Sequence, residues 1–194
     1  MQSGTGQIAS PIDAAETTRR LRQDWFGATP PRPALHTARM GIAADMEIGS
    51  ATEADVEAVL PLMRAYCDFY EVSPPDEGLE QMARALIAAE DRDGMLLVAR
   101  GPGGAPIGFA TVGWKWASTR GARIAVMEDL FVAPEARGQG AADALIEACA
   151  ERARALGAPV LTWVTAPDNH RAQAVYNRAG ATPGTWLEYE LELL

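Results

Sequence analysis

The feature that most constrains the fold of this chain is a small-residue loop, residues 137–142, between a strand pattern and a helix pattern. Residues 124–132 before this glycine loop are strand-like, and residues 141–156 after it repeat apolar side chains at helical spacing. A helix that begins directly after such a turn leaves its first N–H groups unpaired at the positive end of its dipole. The sequence therefore predicts a phosphate-binding or pyrophosphate-binding loop and a nucleotide-like cofactor.

Two common kinds of nucleotide site do not fit the glycine loop. It has no Gly-Lys-Ser/Thr triplet, which a P-loop needs in order to hold phosphates and magnesium. It also lacks the Gly-x-Gly-x-x-Gly fingerprint and the acidic residue by which a dinucleotide fold binds a ribose. Taken alone, the loop is also compatible with an ordinary turn between a strand and a helix.

The glycine loop and a second segment together resemble the GNAT superfamily, the Gcn5-related N-acetyltransferases. The loop is similar to the acetyl-coenzyme A loop of that superfamily, whose pattern is Arg/Gln-x-x-Gly-x-Gly/Ala. Residues 169–180 are similar to the pattern Asn-x-x-Ala-x-x-x-Tyr-x-x-x-Gly that follows the fifth strand in these enzymes. The two segments occur in the expected order, and the resemblance covers residues 46–194.

The predicted elements follow the order βααβββαβαβ, which is that of the GNAT fold. This is an α/β (α+β) fold with a mixed, mostly antiparallel central sheet and helices on both faces. Thr52 and Asp55 form a capping-box pattern at the start of the first helix. The predicted elements are strand 47–51, helices 52–69 and 77–89, strands 95–100, 107–116 and 123–132, helix 141–156, strand 160–165, helix 169–179 and strand 186–193.

Residues 1–45 differ in composition from the rest of the chain. Pro30, Pro31 and Pro33 interrupt any periodicity, and apolar residues are sparse. We predict a flexible N-terminal extension, followed by one acetyltransferase domain over residues 46–194. Within the extension, residues 13–26 have a short helical pattern that could instead dock on the domain.

Composition and charge limit the cellular compartment and the classes of binding partner that we expect. No apolar run approaches the roughly 20 residues of a membrane span. Cys67 and Cys149 lie in helical patterns without metal-ligand or redox spacing, so we expect buried free thiols and a reducing cytoplasm. The formal net charge of −9 disfavours nucleic acid and anionic membranes as partners and favours a cationic small molecule. Many GNAT proteins pair through their C-terminal strands, so a homodimer is one possible state, and the sequence leaves the oligomeric state open.

The resemblance implies acetyl-CoA as the donor cosubstrate, and we expect no metal. In the superfamily the fourth strand is bulged and splays from the fifth, and its main-chain groups pair with the pantetheine arm. One of its N–H groups can stabilise the developing oxyanion. The residues implied to bind the cofactor are Leu130, Phe131, Val132, Arg137, Gly138, Gln139, Gly140, Ala141, Ala142, Asn169 and Tyr176.

Three residues are predicted to carry the chemistry. A thiol has a pKa of about 8.5 and a tyrosine one of about 10, so Tyr176 can protonate the departing thiolate. An alkylamine with a pKa of about 10.4 must lose a proton before it attacks, and Glu128 is the first candidate base and Asp129 the second. Strand alternation predicts that these two carboxylates lie on opposite faces. The alternative roles are aromatic packing for Tyr176, and backbone bonding or solvation for the two acids.

The acceptor amine is predicted to contact the end of the first helix. Residues 66–72 interleave aromatic and acidic side chains, which could hold an ammonium group by cation–π contact and charge. The same pattern is also that of an ordinary amphipathic helix end. The segment around Glu128 resembles the diamine and polyamine acetyltransferase branch. The predicted acceptor-binding residues are Tyr66, Phe69, Tyr70, Glu71 and Glu128.

These features predict an acetyl-CoA-dependent N-acetyltransferase that acts by direct attack in a ternary complex. Its acceptor would be the primary amine of a small molecule, such as a polyamine, an amino acid or an amino-bearing antibiotic. Two alternatives stay open at this point. One is a protein or peptide N-acetyltransferase, and the other is an acyl-CoA-binding module without turnover.

Overall fold

A single five-stranded sheet organises the part of the chain that the computed structural model describes, which is residues 46–89, 91–185 and 187–193. The strands are β1 (Glu47–Ser50), β2 (Gly94–Arg100), β3 (Pro106–Ala117), β4 (Ala122–Val132) and β5 (Leu161–Thr162). The helices are α1 (Val56–Phe69), α2 (Asp76–Ala88), α3 (Ala141–Ala155) and α4 (His170–Arg178), with short 3-10 turns at Glu53–Asp55 and Pro134–Ala136.

The strands follow one another across the sheet in the order β1-β2-β3-β4-β5. The first four pair antiparallel, and β5 pairs parallel to β4 because α3 carries the chain back across the sheet. This mixed, mostly antiparallel sheet confirms the predicted fold class.

Helices cover both faces of the sheet. One core cluster joins α3 to the sheet, through side chains such as Val112 and Cys149. The other joins α1 and α2 to the opposite face, through side chains such as Val98 and Cys67. Both cysteines are buried free thiols, as predicted. The apolar stripes of α1, α2 and α3 thus have partner faces on the sheet, which leaves the helix ends to build the site.

Two predicted strands differ from the structure. The strand predicted over residues 160–165 is reduced to Leu161–Thr162, because β4 no longer runs beside the chain beyond that point. The strand predicted over residues 186–193 is wrong for residues 187–193, which make no strand pairing. Alternating apolar and polar residues form a β-strand only where a neighbouring strand supplies main-chain hydrogen-bond partners. The predicted extension, residues 1–45, lies outside the described residues.

Candidate active site

A β-bulge in β4 shapes the site. Thr111 of β3 pairs with Asp129, but the next residue, Val112, pairs with Met127, so Glu128 is an extra residue in β4. A bulge bends its strand and increases its twist. Accordingly β5 pairs only with Ala125 and Val126, ahead of the bulge, and the two strands separate after it. The bulge and the splayed fourth and fifth strands are confirmed.

The bulge also places the two acidic residues of β4, the acidic pair Glu128 and Asp129, on one face of the sheet. Asp129 is opposite Thr111, which alternation puts on the α1 side of β3. Glu128 Oε1 lies 3.8 Å from the position that a Cβ atom would take at Gly113, on that same side. The prediction of opposite faces is therefore wrong, because the extra residue breaks the period of two.

A cleft of about 560 Å³ opens beyond the point where β4 and β5 separate. It contains most of the predicted site residues, but Glu71, Glu128, Asp129 and Gln139 do not line it. The predicted residues that line it are Tyr66, Phe69, Tyr70, Leu130, Phe131, Val132, Arg137, Gly138, Gly140, Ala141, Ala142, Asn169 and Tyr176. One cavity thus joins the end of α1, the second half of β4, the glycine loop and α4.

The glycine loop turns the chain from β4 into α3. Gly138 and Gly140 have φ angles of 80° and 84°, in the left-handed region that residues with a Cβ seldom adopt. Gly140 is the residue immediately before the helix, so the N–H groups of Ala141 and Ala142 lie in the first turn of α3, at the wall of the cleft. First-turn N–H groups have no intrahelical acceptor and can donate to an anion.

Arginine side chains line the same part of the cleft. Arg137 Nε donates to the main-chain carbonyl of Val132 at 2.9 Å, and its guanidinium lies 5.7 Å from the centre of the Phe131 ring. This contact holds the loop against the end of β4. Arg171 and Arg178 of α4 also line the cleft, and the sequence reasoning missed them. Their spacing of seven residues, about two helical turns, was the available signal.

Tyr176 lies on α4, whose start Asn169 determines. Asn169 Oδ1 accepts a hydrogen bond from the Ala172 N–H at 3.2 Å, so Asn169 caps the helix as predicted. The Tyr176 ring packs edge-on to Trp163, with the ring centres 5.2 Å apart. Burial raises the pKa of Tyr176, and the Tyr70 phenol adds to the increase. Tyr176 is therefore a neutral phenol at pH 7, which can donate a proton.

The charges around Glu128 raise its proton affinity. Partial burial raises the pKa of Glu128, and the neighbouring Asp129 carboxylate raises it further. Glu188 acts in the same direction and Lys115 in the opposite one. A like charge nearby disfavours the ionised form of Glu128, which is a common way to tune a base towards neutral pH. Lys115 and Glu188 are further residues that the sequence reasoning missed.

Three aromatic side chains at the end of α1 form one wall of the cleft. This aromatic group consists of Tyr66, Phe69 and Tyr70, and Tyr70 makes edge-to-face contacts at 5.0 Å with each of the other two. Phe69 is 62% exposed and Tyr70 46% exposed, so both can contact a ligand. Glu71 follows directly but does not line the cleft.

The described residues contain neither a cluster that could hold a metal ion nor a helix that could span a membrane. In this part of the chain there is no group of three or more His, Cys, Asp or Glu side chains placed to hold a metal. None of the helices described above is both long and apolar enough to span a membrane.

Comparison with known proteins identifies the family. Residues 59–181 match the model of the acetyltransferase (GNAT) family. The chain belongs to the GNAT family. It is therefore an acyltransferase enzyme of the N-acetyltransferase type, as the two sequence motifs predicted, and the match includes both of them.

Two relatives and two solved structures illustrate the similarity. The chain is 33% identical over 135 residues to YhfO of Bacillus subtilis, an uncharacterized N-acetyltransferase, covering 70% of this chain and 89% of YhfO. It is 35% identical over 125 residues to the D-amino-acid N-acetyltransferase HPA3 of Saccharomyces cerevisiae, covering 64% of this chain and 77% of HPA3.

Among solved structures, a probable acetyltransferase has a TM-score of 0.67 and 25% identity, with 76% of this chain and 98% of that chain covered. The aminoglycoside N-acetyltransferase AAC(6')-Iy in complex with CoA has a TM-score of 0.66 and 20% identity, with coverage of 76% and 94%. At this identity the second likeness shows the fold alone.

Proposed function

We propose that this GNAT enzyme transfers an acetyl group from acetyl-CoA to the primary amine of a small molecule, by direct attack in a ternary complex. The observation that carries the proposal is the single cleft, which joins the glycine loop and Tyr176 to the aromatic group. Such a cleft can hold a donor and an acceptor side by side, so that no acetyl group needs to be carried on the protein.

The lining of the cleft fits an acyl-CoA donor. The N–H groups at the start of α3 and the guanidinium groups of Arg137 and Arg171 suit a pyrophosphate. Residues 130–132 continue β4 along the cleft wall and offer main-chain groups to an extended pantetheine arm. When bound, acetyl-CoA supplies the thioester that reacts.

The residues divide the proton transfers between them. We assign Glu128 as the base that takes a proton from the ammonium form of the acceptor, directly or through a water, because its pKa is raised. A main-chain N–H of β4 stabilises the oxyanion. Tyr176, a neutral phenol, then donates its proton to the departing thiolate. As the amide forms, the nitrogen loses its second proton, which restores the Tyr176 phenol through solvent, so the protons balance and neither transfer requires a metal.

The acceptor that fits this site is a small cationic amine. The acidic pair lies on the sheet face towards α1, where Tyr66 and its neighbours present aromatic rings. Carboxylates and aromatic faces together favour an ammonium group. Two of the matched proteins are named for small amine acceptors, D-amino acids and aminoglycosides. We therefore propose a free amino acid, a polyamine or an amino-bearing antibiotic as the substrate class.

Initial-rate kinetics test the ternary complex. With both substrates varied, we expect intersecting double-reciprocal lines, because both bind before reaction. Parallel lines would indicate a covalent acetyl-enzyme and contradict direct attack.

Arg178→Ala is expected to raise the KM for acetyl-CoA about threefold to tenfold at low ionic strength, and less at high salt. Arg178 pairs with Asp143 at 2.9 Å, and both residues line the cleft at the start of α3. Without the arginine, the Asp143 carboxylate would repel the donor's phosphates. The double variant Asp143→Asn/Arg178→Ala should recover part of the loss. If the double variant had a KM for acetyl-CoA as high as that of Arg178→Ala, this explanation would be contradicted.

The homodimer stays a prediction. Residues 187–193 present Leu187, Tyr189, Leu191 and Leu193 to solvent, each 79–87% exposed. Alternating apolar side chains of this kind are compatible with pairing to a strand of a second copy.

A further inference from the structure

Thr111 is a buried hydroxyl on an apolar face. Its side chain is 3% exposed, and it lies next to Phe109 on the side of β3 that packs against α1. Valine has nearly the same shape and would pack there without a polar group. The hydroxyl has a partner, since Thr111 Oγ1 donates a hydrogen bond to the Asp129 carboxylate directly across the β3–β4 ladder.

The chain at the bulge also contacts Tyr66 of α1. The Tyr66 hydroxyl donates to the main-chain carbonyl of Glu128 at 3.5 Å, and the negative charge of the neighbouring Asp129 carboxylate acts on the phenol. Burial raises the pKa of Tyr66, and the negative charge of Asp129 raises it further. The phenol is therefore neutral across the physiological range and acts as a donor.

The ring of Tyr66 is held from below by two aromatic residues of the sheet. It makes edge-to-face contacts with Phe109 at 6.1 Å and with Phe131 at 6.3 Å between ring centres. These contacts hold the ring against the sheet. Its hydroxyl donates to the carbonyl at the bulge, and the next residue of the bulge, Asp129, accepts the Thr111 hydrogen bond.

We propose that Thr111 and Asp129 are positioning residues that orient Tyr66 at the acceptor end of the cleft. In this arrangement the Asp129 carboxylate accepts the hydrogen bond of Thr111 beside the Tyr66 phenol, which donates to the Glu128 carbonyl, and Asp129 is not the base for the amine. Glu128, the extra residue of the bulge, is left to that role. The division follows from the bulge, which gives the two neighbouring carboxylates different surroundings on one face.

The consequence for the reaction rests on the proposed function. Tyr66 lines the cleft and supports Tyr70 by ring contact, so a misdirected Tyr66 alters the wall that the amine meets. Thr111 and Asp129 do not line the cleft that the glycine loop lines, so the loop should be unaffected. Loss of the Thr111 hydroxyl should therefore raise the KM for the amine and leave the KM for acetyl-CoA unchanged.

A test that needs no turnover observes Tyr66 directly. The chain has four tyrosines, so protein labelled with carbon-13 at the tyrosine phenol carbon gives few signals, and Tyr66→Phe identifies that of Tyr66. We expect Thr111→Val and Asp129→Asn each to move the Tyr66 signal, and Thr111→Ser to leave it in place. An unmoved Tyr66 signal in folded Thr111→Val would overturn the proposal, whatever the enzyme acetylates. Circular dichroism melting verifies that each variant is folded.

Kinetics then test the role in acetyl transfer, with spermidine, D-alanine and kanamycin as probe amines. Thr111→Val should raise the KM for the accepted amine about tenfold, which is typical for one lost hydrogen bond, with the KM for acetyl-CoA and the pH–rate profile unchanged. Thr111→Ser should restore the KM. If Asp129→Asn removes the rise of the rate with pH on the acid side of the profile, Asp129 is the base and the proposal fails. A moved Tyr66 signal without acetylation of any amine would support the network and count against the proposed function.

Discussion

Tyr176→Phe is expected to lower kcat by about 100-fold or more and to leave the Kd for acetyl-CoA within about threefold of the wild-type value. The substitution removes only the hydroxyl, so the ring can still pack on Trp163 and still line the cleft. What is lost is the proton donor for the departing thiolate. Steady-state kinetics together with calorimetric titration of acetyl-CoA separate the two effects.

Tyr189→Phe is a matched control for this experiment. Tyr189 is 87% exposed and does not line the cleft, so removal of its hydroxyl should change neither kcat nor donor binding. If Tyr176→Phe retained the wild-type kcat, Tyr176 would be only a packing residue. If the Kd for acetyl-CoA rose by the same factor as kcat fell, the Tyr176 hydroxyl would be assigned to donor binding.

Glu128→Gln is expected to lower kcat/KM for the amine by about 100-fold at pH 7 and to move the pH–rate profile towards alkaline pH. The base must be ionised to act, so in the wild-type enzyme the rate should rise with pH through the raised pKa of Glu128. Glutamine cannot accept the proton. The variant then depends on the small fraction of amine that is already neutral, which grows as pH approaches the amine's own pKa.

Glu147→Gln provides the matched control for Glu128→Gln, because Glu147 is an exposed residue of α3 and does not line the cleft. It should leave both the rate and the profile unchanged. A Glu128→Gln variant that loses rate equally at every pH would remove the base role from Glu128. Its loss would then be attributed to binding of the ammonium group.

Local signals in the sequence predicted most of the fold and part of the site. Gly138, Gly140 and Asn169 act within a few residues of themselves, by φ angle and by capping, so the sequence alone could place them at their turns. The helix periods and the strand alternation likewise depend on neighbours along the chain. The predicted residues of the glycine loop other than Gln139, together with Asn169 and Tyr176, therefore do line the cleft, and their role in donor binding stays a prediction.

The acceptor end depends on partners that are distant along the chain. The face of Glu128 is set by its register against β3, which no pattern within β4 reveals. Thr111 and Asp129 are 18 residues apart, and Asp143 and Arg178 are 35 apart. Glu71 does not line the cleft, and its φ angle of 56° departs from the helical path that α1 follows up to Phe69. Such pairs become visible only when the sheet and its helices are assembled.

The most direct test of the central claim is thiol release from acetyl-CoA in the presence of polyamines, D- and L-amino acids, aminoglycosides and short peptides, with mass spectrometry of the products. We predict release that requires both acetyl-CoA and a small amine, and a product that carries one acetyl group on its amino nitrogen. Release with peptides alone, or no release with any small amine while acetyl-CoA still raises the melting temperature, would contradict the proposed function.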